Sequence, residues 1–365
     1  MEKIIKKYRM MDVTFSVECN EPGFFDMLEV QPWVEKENRS NGEADISAEI
    51  DFSSISSIPS RIRVGEKVFD LIPETRHYNA YILLMEEVIN RNRRYLMIHG
   101  GAVYKDGNAY AFVGPSNSGK STLLYALSRE GFSLVADDLL LLDINEMNII
   151  ILRESIGLRR GSLKFFGIDE EECNSKYPFK DDTKAFLNVE RELINHDADI
   201  ILKTLFIFSN VFEDEGRHVA DLFLKSWNDA FIEKITEIPG VKFIDKYTKN
   251  GVPVCRLSVM ADASNEFQVV CKDNENHIFY TEAVNAGVND FANPPLIKKI
   301  SKRDAVLALI KNMRNPRILR DTTGNRYPEL MLRLGTILEG VDTYSFKPGI
   351  LDKTVNEIKN IICDA

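Results

Sequence analysis

GPSNSGKSTLLYALSREGFSLVADD, residues 114–138, holds the pattern from which the rest of the chain can be read. Gly114, four residues, then Gly119-Lys120-Ser121 is GxxxxGK[ST]. Glycines at those places let successive backbone N–H groups turn into one anion-sized hollow, the lysine sets a cation on the outer phosphates, and the serine hydroxyl can coordinate Mg²⁺. The expected cradle is Gly114, Pro115, Ser116, Asn117, Ser118, Gly119, Lys120, Ser121 and Thr122. NAYAFV (108–113) before it has the length and apolar content of a buried strand, and STLLYALSRE (121–130) after it puts Leu123, Leu124 and Leu127 on one helical face, with Gly131 as the stop. Strand, glycine loop and helix in that order predict a site for a nucleoside triphosphate with Mg²⁺ in an α/β fold.

The two aspartates that end the stretch follow from chain lengths. A helix from Lys120 to Glu130 carries the chain ~16 Å away from the phosphates. FSLVA (132–136), as a strand, brings it back about the same ~16 Å. Taken as a parallel crossover, this returns Asp137 and Asp138 to the sheet edge that bears the loop, where open α/β sheets bind ligands. Adjacent strand residues point to opposite faces, so the pair divides its work: one carboxylate supports Mg²⁺ or its water shell, and the other accepts a proton from an attacking hydroxyl.

Upstream, HGGAVYKDGNAYAFVG (99–114) centres on Asp106-Gly107, a strong signal for a two-residue hairpin. Pairing outward from the turn sets Tyr104 opposite Ala109, Ala102 opposite Ala111, and His99 opposite Gly114. A bulge would shift this register, and Gly100-Gly101 is a candidate place for one. His99 thus lands beside the phosphate loop, where an imidazole can carry charge or move a proton.

Composition narrows the classes. Lys and Arg number 46 against 56 Asp and Glu, a net charge of −10, with 44% hydrophobic and 28% charged residues. That excludes a fibrous or wholly disordered chain and argues against a nucleic-acid partner, which needs a basic face. The five cysteines, Cys19, Cys173, Cys255, Cys271 and Cys363, form no CxxC pair and point to a reducing, cytoplasmic setting. No signal peptide and no apolar run long enough to span a membrane is expected.

Residues 1–94 read as an α+β region: DVTFSVEC (12–19) and RIRVGEKVFDLI (61–72) alternate as strands, with Gly65 at a turn, and Tyr81, Leu84, Met85 and Val88 recur at helical spacing. Residues 95–365 form the expected nucleotide-binding domain, with 212–297 a mixed segment that reads as an insertion. SKRDAVLALIKNMRN and LDKTVNEIKNIICDA read as helices around a strand at Tyr344–Phe346.

Residues 99–143, with HG, a short strand, G-x-S-x-x-G-K-S, a helix ending in Gly, and L-V-A-D-D, resemble the catalytic core of the HPr kinase/phosphorylase family, and in particular its divergent serine-kinase relatives. The resemblance implies an α/β P-loop core related to the HPr kinase C-terminal domain and the phosphoenolpyruvate carboxykinase nucleotide core. It implies ATP and Mg²⁺ as cofactors and a serine hydroxyl of a peptide, protein or small molecule as phosphoacceptor, in an assembly of identical subunits. By position it implies Lys120 on the phosphates, Ser121 and a supporting Asp137 at the metal, Asp138 as the base, and His99 as an active-site partner. In RESIGLRRG (153–161), Glu154 stands in for the family's metal-holding glutamate and Arg159 for a phosphate contact, while Lys184 falls where relatives place a lysine. The alternative, from a different class, is a nucleotide-binding sensor or assembly ATPase with no phosphorylated substrate. It needs the loop but not a poised Asp138 and His99.

Overall fold

The computed structural model describes residues 3–363, leaving aside 30–33, 38–42, 56–57, 72, 74–75, 117, 147, 151–155, 170–172, 174–183, 188–199, 209–216, 250–251, 275–276, 285–292, 315–319, 322–323 and 326. The chain forms two compact units, each made of separate stretches: Met1–Ile98, Leu140–Asn188 and Met313–Ile337 in the first, His99–Leu139, Val189–Asn312 and Leu338–Ala365 in the second.

In the first unit, Val13–Cys19 alternates buried and half-buried along its whole length, the period of a strand with one face on a core. It lies in a six-stranded sheet whose strands are ordered Glu35–Lys36, Ile4–Met10, Val13–Cys19, Ile46–Asp51, Arg61–Val64 and Lys67–Asp70. The helix Arg76–Arg91 covers it, packing on Val13–Cys19, Ile46–Asp51 and Arg61–Val64 through the expected Tyr81, Leu84, Met85 and Val88. Gly65 turns the last hairpin at φ +58°. Tyr95–Ile98, Leu140–Asp143 and Asn148–Ile150 make a separate three-stranded sheet.

The second unit is built on a six-stranded sheet ordered Ser133–Ala136, Gly100–Lys105, Asn108–Val113, Ile201–Phe208, Asp342–Lys347 and Leu296–Lys299. Asn108–Val113, Ile201–Phe208 and Asp342–Lys347 run parallel, and the other contacts in the sheet are antiparallel. Phe112, Phe206 and Tyr344 stack across the three parallel strands, with centroids 5.0 and 5.5 Å apart. Such cross-strand aromatic pairs stabilise a sheet beyond the area they bury. The helix Lys120–Arg129 packs on Gly100–Lys105, Ser133–Ala136 and the terminal helix Leu351–Cys363. Lys302–Lys311 packs on Ile201–Phe208 and Asp342–Lys347.

Within the expected 212–297 segment, Arg217–Leu224, Asp229–Thr236, Val241–Lys249, Val252–Met260, Ser264–Asp273 and Ile278–Val284 alternate as β-α-β-β-α-β. The four strands pair antiparallel, with Arg217–Leu224 and Val252–Met260 at the centre, the split-βαβ arrangement. Phe231, Ile232, Ile235 and Phe267 from the two helices close its core over Leu222, Cys255 and Leu257.

Two details of this sheet lay open in the sequence. The strand Ser133–Ala136 is not the immediate neighbour of Asn108–Val113, because Gly100–Lys105 lies between them. Two successive antiparallel pairings still leave the outer two running in the same direction, so the return to the loop's edge survives. Nor is there a bulge at Gly100-Gly101. The irregularity falls between Leu134 and Ala136, while the hairpin runs unbroken from Lys105↔Asn108 to Gly100↔Val113.

Candidate functional site

The hairpin places the first component. Asp106 and Gly107 both take positive φ, +50° and +87°, as a type I′ turn requires. The register then matches Tyr104 with Ala109 and Ala102 with Ala111, and the Gly114 N–H donates to the His99 carbonyl at 3.3 Å. His99 is 8% exposed, and its own N–H donates to Asn312 O at 2.8 Å.

The loop then turns into the helix at Gly119, whose φ of +92° is a left-handed conformation that costs a residue with a Cβ. The helix ends as predicted. Gly131 at φ +85° donates to Ser128 O and Phe132 N to Leu127 O, the paired closing bonds of a Schellman cap. Leu123, Leu124 and Leu127 are buried beneath it.

Lys120 is 4% exposed, an extreme position for an ammonium group. Its Nζ donates to Gly114 O at 2.9 Å and Pro115 O at 2.8 Å, stands 3.1 Å from His99 Nε2, and lies 3.4 Å from Ser118 Oγ. Ser116 Oγ is 3.3 Å from the same Nε2. His99 Nδ1 is 3.1 Å from the backbone oxygen of Asp138. A carbonyl only accepts, so the Asp138 contact suits a hydrogen on Nδ1, and an ammonium only donates, so the Lys120 contact suits an accepting Nε2.

The strand Ser133–Ala136 delivers the two aspartates to different tasks. Asp137, 2% exposed, accepts from Ser121 Oγ at 2.8 Å, which ties the loop's last hydroxyl to a buried carboxylate. Asp138 takes φ +63°, and Leu139 N–H donates back to Asp137 O at 2.8 Å, so the chain makes a tight three-residue turn about a left-handed aspartate. Positive φ in such a turn is strained and concentrates at functional positions.

Ser121 and Asp137 supply hard oxygen donors side by side. Magnesium takes oxygen ligands, keeps several waters, and is held by one or two carboxylates together with substrate phosphates. The pair fits that ion. Among the described residues no group of three or more His, Cys, Asp or Glu could hold a metal by itself. Glu154 and Asn117 lie outside the described residues. Arg159 is exposed at the end of the strand Ile156–Arg159, and Lys184 begins the strand that pairs with it, both in the first unit.

Three contributions to the site were not legible in the sequence. Gly101 is there for close approach: a Cβ on it would lie 2.5 Å from Ala136 O and 3.3 Å from Asp137 Cα. Gly114 faces Phe208, whose Cβ would lie 2.6 Å from an added methyl. The third is the link from His99 to the Asp138 peptide. The doubled glycine of HGG was the only visible trace of the first.

A mixed α/β sheet with a glycine loop, its lysine and a Ser–Asp pair at the strand ends defines a nucleotide-binding P-loop protein. No protein-family model matches the chain. It is similar to the tRNA modification GTPase MnmE of Finegoldia magna, 28% identical over 217 residues, which cover 58% of this chain and 42% of that protein. The chain therefore spans less than half the length of this curated relative. These findings overturn the expected membership of the HPr kinase/phosphorylase family and, with it, the serine-kinase activity. The curated relative is named as a GTPase, and no model of the kinase family matches the chain. They support nucleotide binding, while ATP as the particular nucleotide is not carried by them. No helix among the described residues is long and apolar enough to cross a membrane.

Proposed function

We propose that this chain is a nucleotide-driven switch: it binds a magnesium nucleoside triphosphate at Gly114–Ser121 and changes the conformation of the turn at Asp137–Leu139, without passing phosphate to a second molecule. One observation carries the reading. Ser121 of the loop is hydrogen-bonded to Asp137 at 2.8 Å, and Asp137 opens the left-handed Asp138 turn, so the loop and that turn share one bond. A ligand that takes up the Ser121 oxygen competes with that bond, which is how triphosphate binding can bias a loop. Ser121 and Asp137 would hold Mg²⁺, which when bound neutralises phosphate charge. Lys120 and the N-terminus of its helix hold the anion.

The relative's name supports guanine as the base. A tRNA partner does not follow from that name, because the chain matches under half of the relative and its net charge of −10 is ill suited to a polyanion. The test is titration of a fluorescent GTP analogue and its ATP counterpart with Mg²⁺ against wild type and Lys120→Ala. Wild type should bind GTP more tightly than ATP, and the variant should lose about 10- to 100-fold, the scale of one charged hydrogen bond with its desolvated partner. Failure of wild type to bind either nucleotide would end the proposal.

A further inference from the structure

The main sheet of the second unit ends on Leu296–Lys299, a strand paired on one side only, with Asp342–Lys347. Among the described residues nothing pairs with its outer backbone groups. An edge of this kind accepts one more strand, and only a polypeptide supplies one. The charge around it is reversed from that of the chain as a whole. Residues 296–303, LIKKISKR, hold four cations and no acid in a protein of net charge −10. Lys298, Lys299, Lys302 and Arg303 are all exposed. Lys299 pairs with Asp342 at 2.7 Å and holds that carboxyl below the usual carboxylate range, with Lys302 and Lys203 adding to the effect, so one acid faces three ammonium groups. Among the described residues Lys298, Lys302 and Arg303 close no ion pair. Lys302 and Arg303 stand in the first turn of the helix Lys302–Lys311, where cations oppose the helix dipole, so helix stability does not account for them.

We propose that Leu296–Lys299 is a docking edge for an extended acidic segment of another protein, which adds to the sheet as a further strand. The inference goes beyond the nucleotide reading above and does not depend on it. Side chains alternate along a strand, so Leu296 and Lys298 share one face and Ile297 and Lys299 the other. Each face thus carries an apolar residue and then a cation. The complementary strand has two adjacent apolar residues beside two adjacent acids, and further acids reach Lys302 and Arg303. Leu296, 51% exposed, is the apolar anchor. The backbone edge gives affinity and the paired side chains give the choice of partner.

Lysines on an edge strand keep like strands away, and here they disfavour a second copy of the same edge. Fully overlapped antiparallel pairing would set Lys298 and Lys299 opposite Ile297 and Leu296, and parallel pairing would set lysine against lysine. Neither arrangement offers an acid. Nucleic acid would engage the cations alone, and it leaves the open backbone and Leu296 without a role. An acidic strand uses all three features.

The experiment measures binding of two fluorescent peptides to the full chain by anisotropy at low salt. One repeats Val-Val-Glu-Glu, which presents the required order in either chain direction. The other alternates Val and Glu, with the same composition and charge. The first should bind about threefold or more tighter, the scale of two lost cross-strand pairs. The double variant Lys298→Glu, Lys302→Glu changes only exposed side chains and should weaken the first peptide by about tenfold or more. A further measurement needs no variant. Hydrogen exchange within Leu296–Lys299 of wild type should slow when the first peptide is bound, which charge attraction alone does not produce. Oligouridine RNA serves as the competing polyanion. No binding of the first peptide, equal binding of the two, unchanged exchange, or tighter binding of the RNA would each overturn the inference. None of these results bears on nucleotide binding at the loop, so the two readings fail separately.

Discussion

Gly101→Ala tests the geometry of the site without touching a group that carries charge. Gly101 lies in the strand Gly100–Lys105, at the point where Ser133–Ala136 arrives beside it. An alanine methyl would stand 2.5 Å from the carbonyl oxygen of Ala136, 2.5 Å from Leu124 Cδ1 and 3.3 Å from Asp137 Cα. Leu124 can rotate away, but the carbonyl is backbone and must move by about 1 Å to reach ordinary contact. Overpacking of this kind costs about 1–3 kcal/mol, and the upper half of the range applies because the clash is with main chain. For a unit of this size that is a fall in Tm of about 5–10 °C. The displaced segment carries Asp137 away from Ser121, so magnesium-dependent nucleotide binding should weaken by more than the loss of stability alone. Thermal melting followed by circular dichroism, with and without Mg²⁺ and nucleotide, reads both effects. A variant that melts within 1 °C of wild type and binds as tightly would refute the close-approach argument.

Asp138→Gly should leave the fold intact and raise stability by up to about 1 kcal/mol, because glycine takes φ > 0 without strain, while Asp138→Ala should cost about that much. Matching melts for the two would show that the turn is not strained. The buried thiols report on alkaline stability: burial pushes Cys19 up to about 11 and Cys255 up to about 12. Burial moves the phenols of Tyr8, Tyr95 and Tyr110 the same way. A weak acid whose folded pKa is raised adds stability that is complete below the unfolded value, about 8.5 for a thiol, and is lost as pH climbs toward the folded one. Tm should therefore fall steadily from pH 8.5 to 10.5, and a flat profile would contradict it. At pH 8 the exposed Cys363 should alkylate first, with Cys19 and Cys255 protected until the protein unfolds.

What could be read in advance was local. Asp106-Gly107 specified a turn whose two residues must both have positive φ, and that turn carried the register upstream to His99. Leu123, Leu124, Leu127 and the stop at Gly131 marked the helix because its buried face and its cap are written within a few residues of each other. The same holds for Tyr81, Leu84, Met85 and Val88 in the helix over the first sheet. The activity inferred from the likeness of residues 99–143 did not stand, because a loop that binds phosphate is used by proteins that do different things with it.

The amino-acid sequence alone thus determined the hairpin and the helix that flank the glycine loop, each governed by neighbours along the chain. Only the tertiary structure decided that Gly100–Lys105 separates the loop strand from the returning one, and that Gly101 is a glycine because Ala136 comes within contact of it. It alone decided that two units are each assembled from three distant stretches. Nor did any spacing announce that one imidazole would meet Lys120 on one side and the Asp138 peptide on the other. Those outcomes depend on which apolar faces pair across the fold, a choice made by packing between residues far apart in sequence, for which no local periodicity exists.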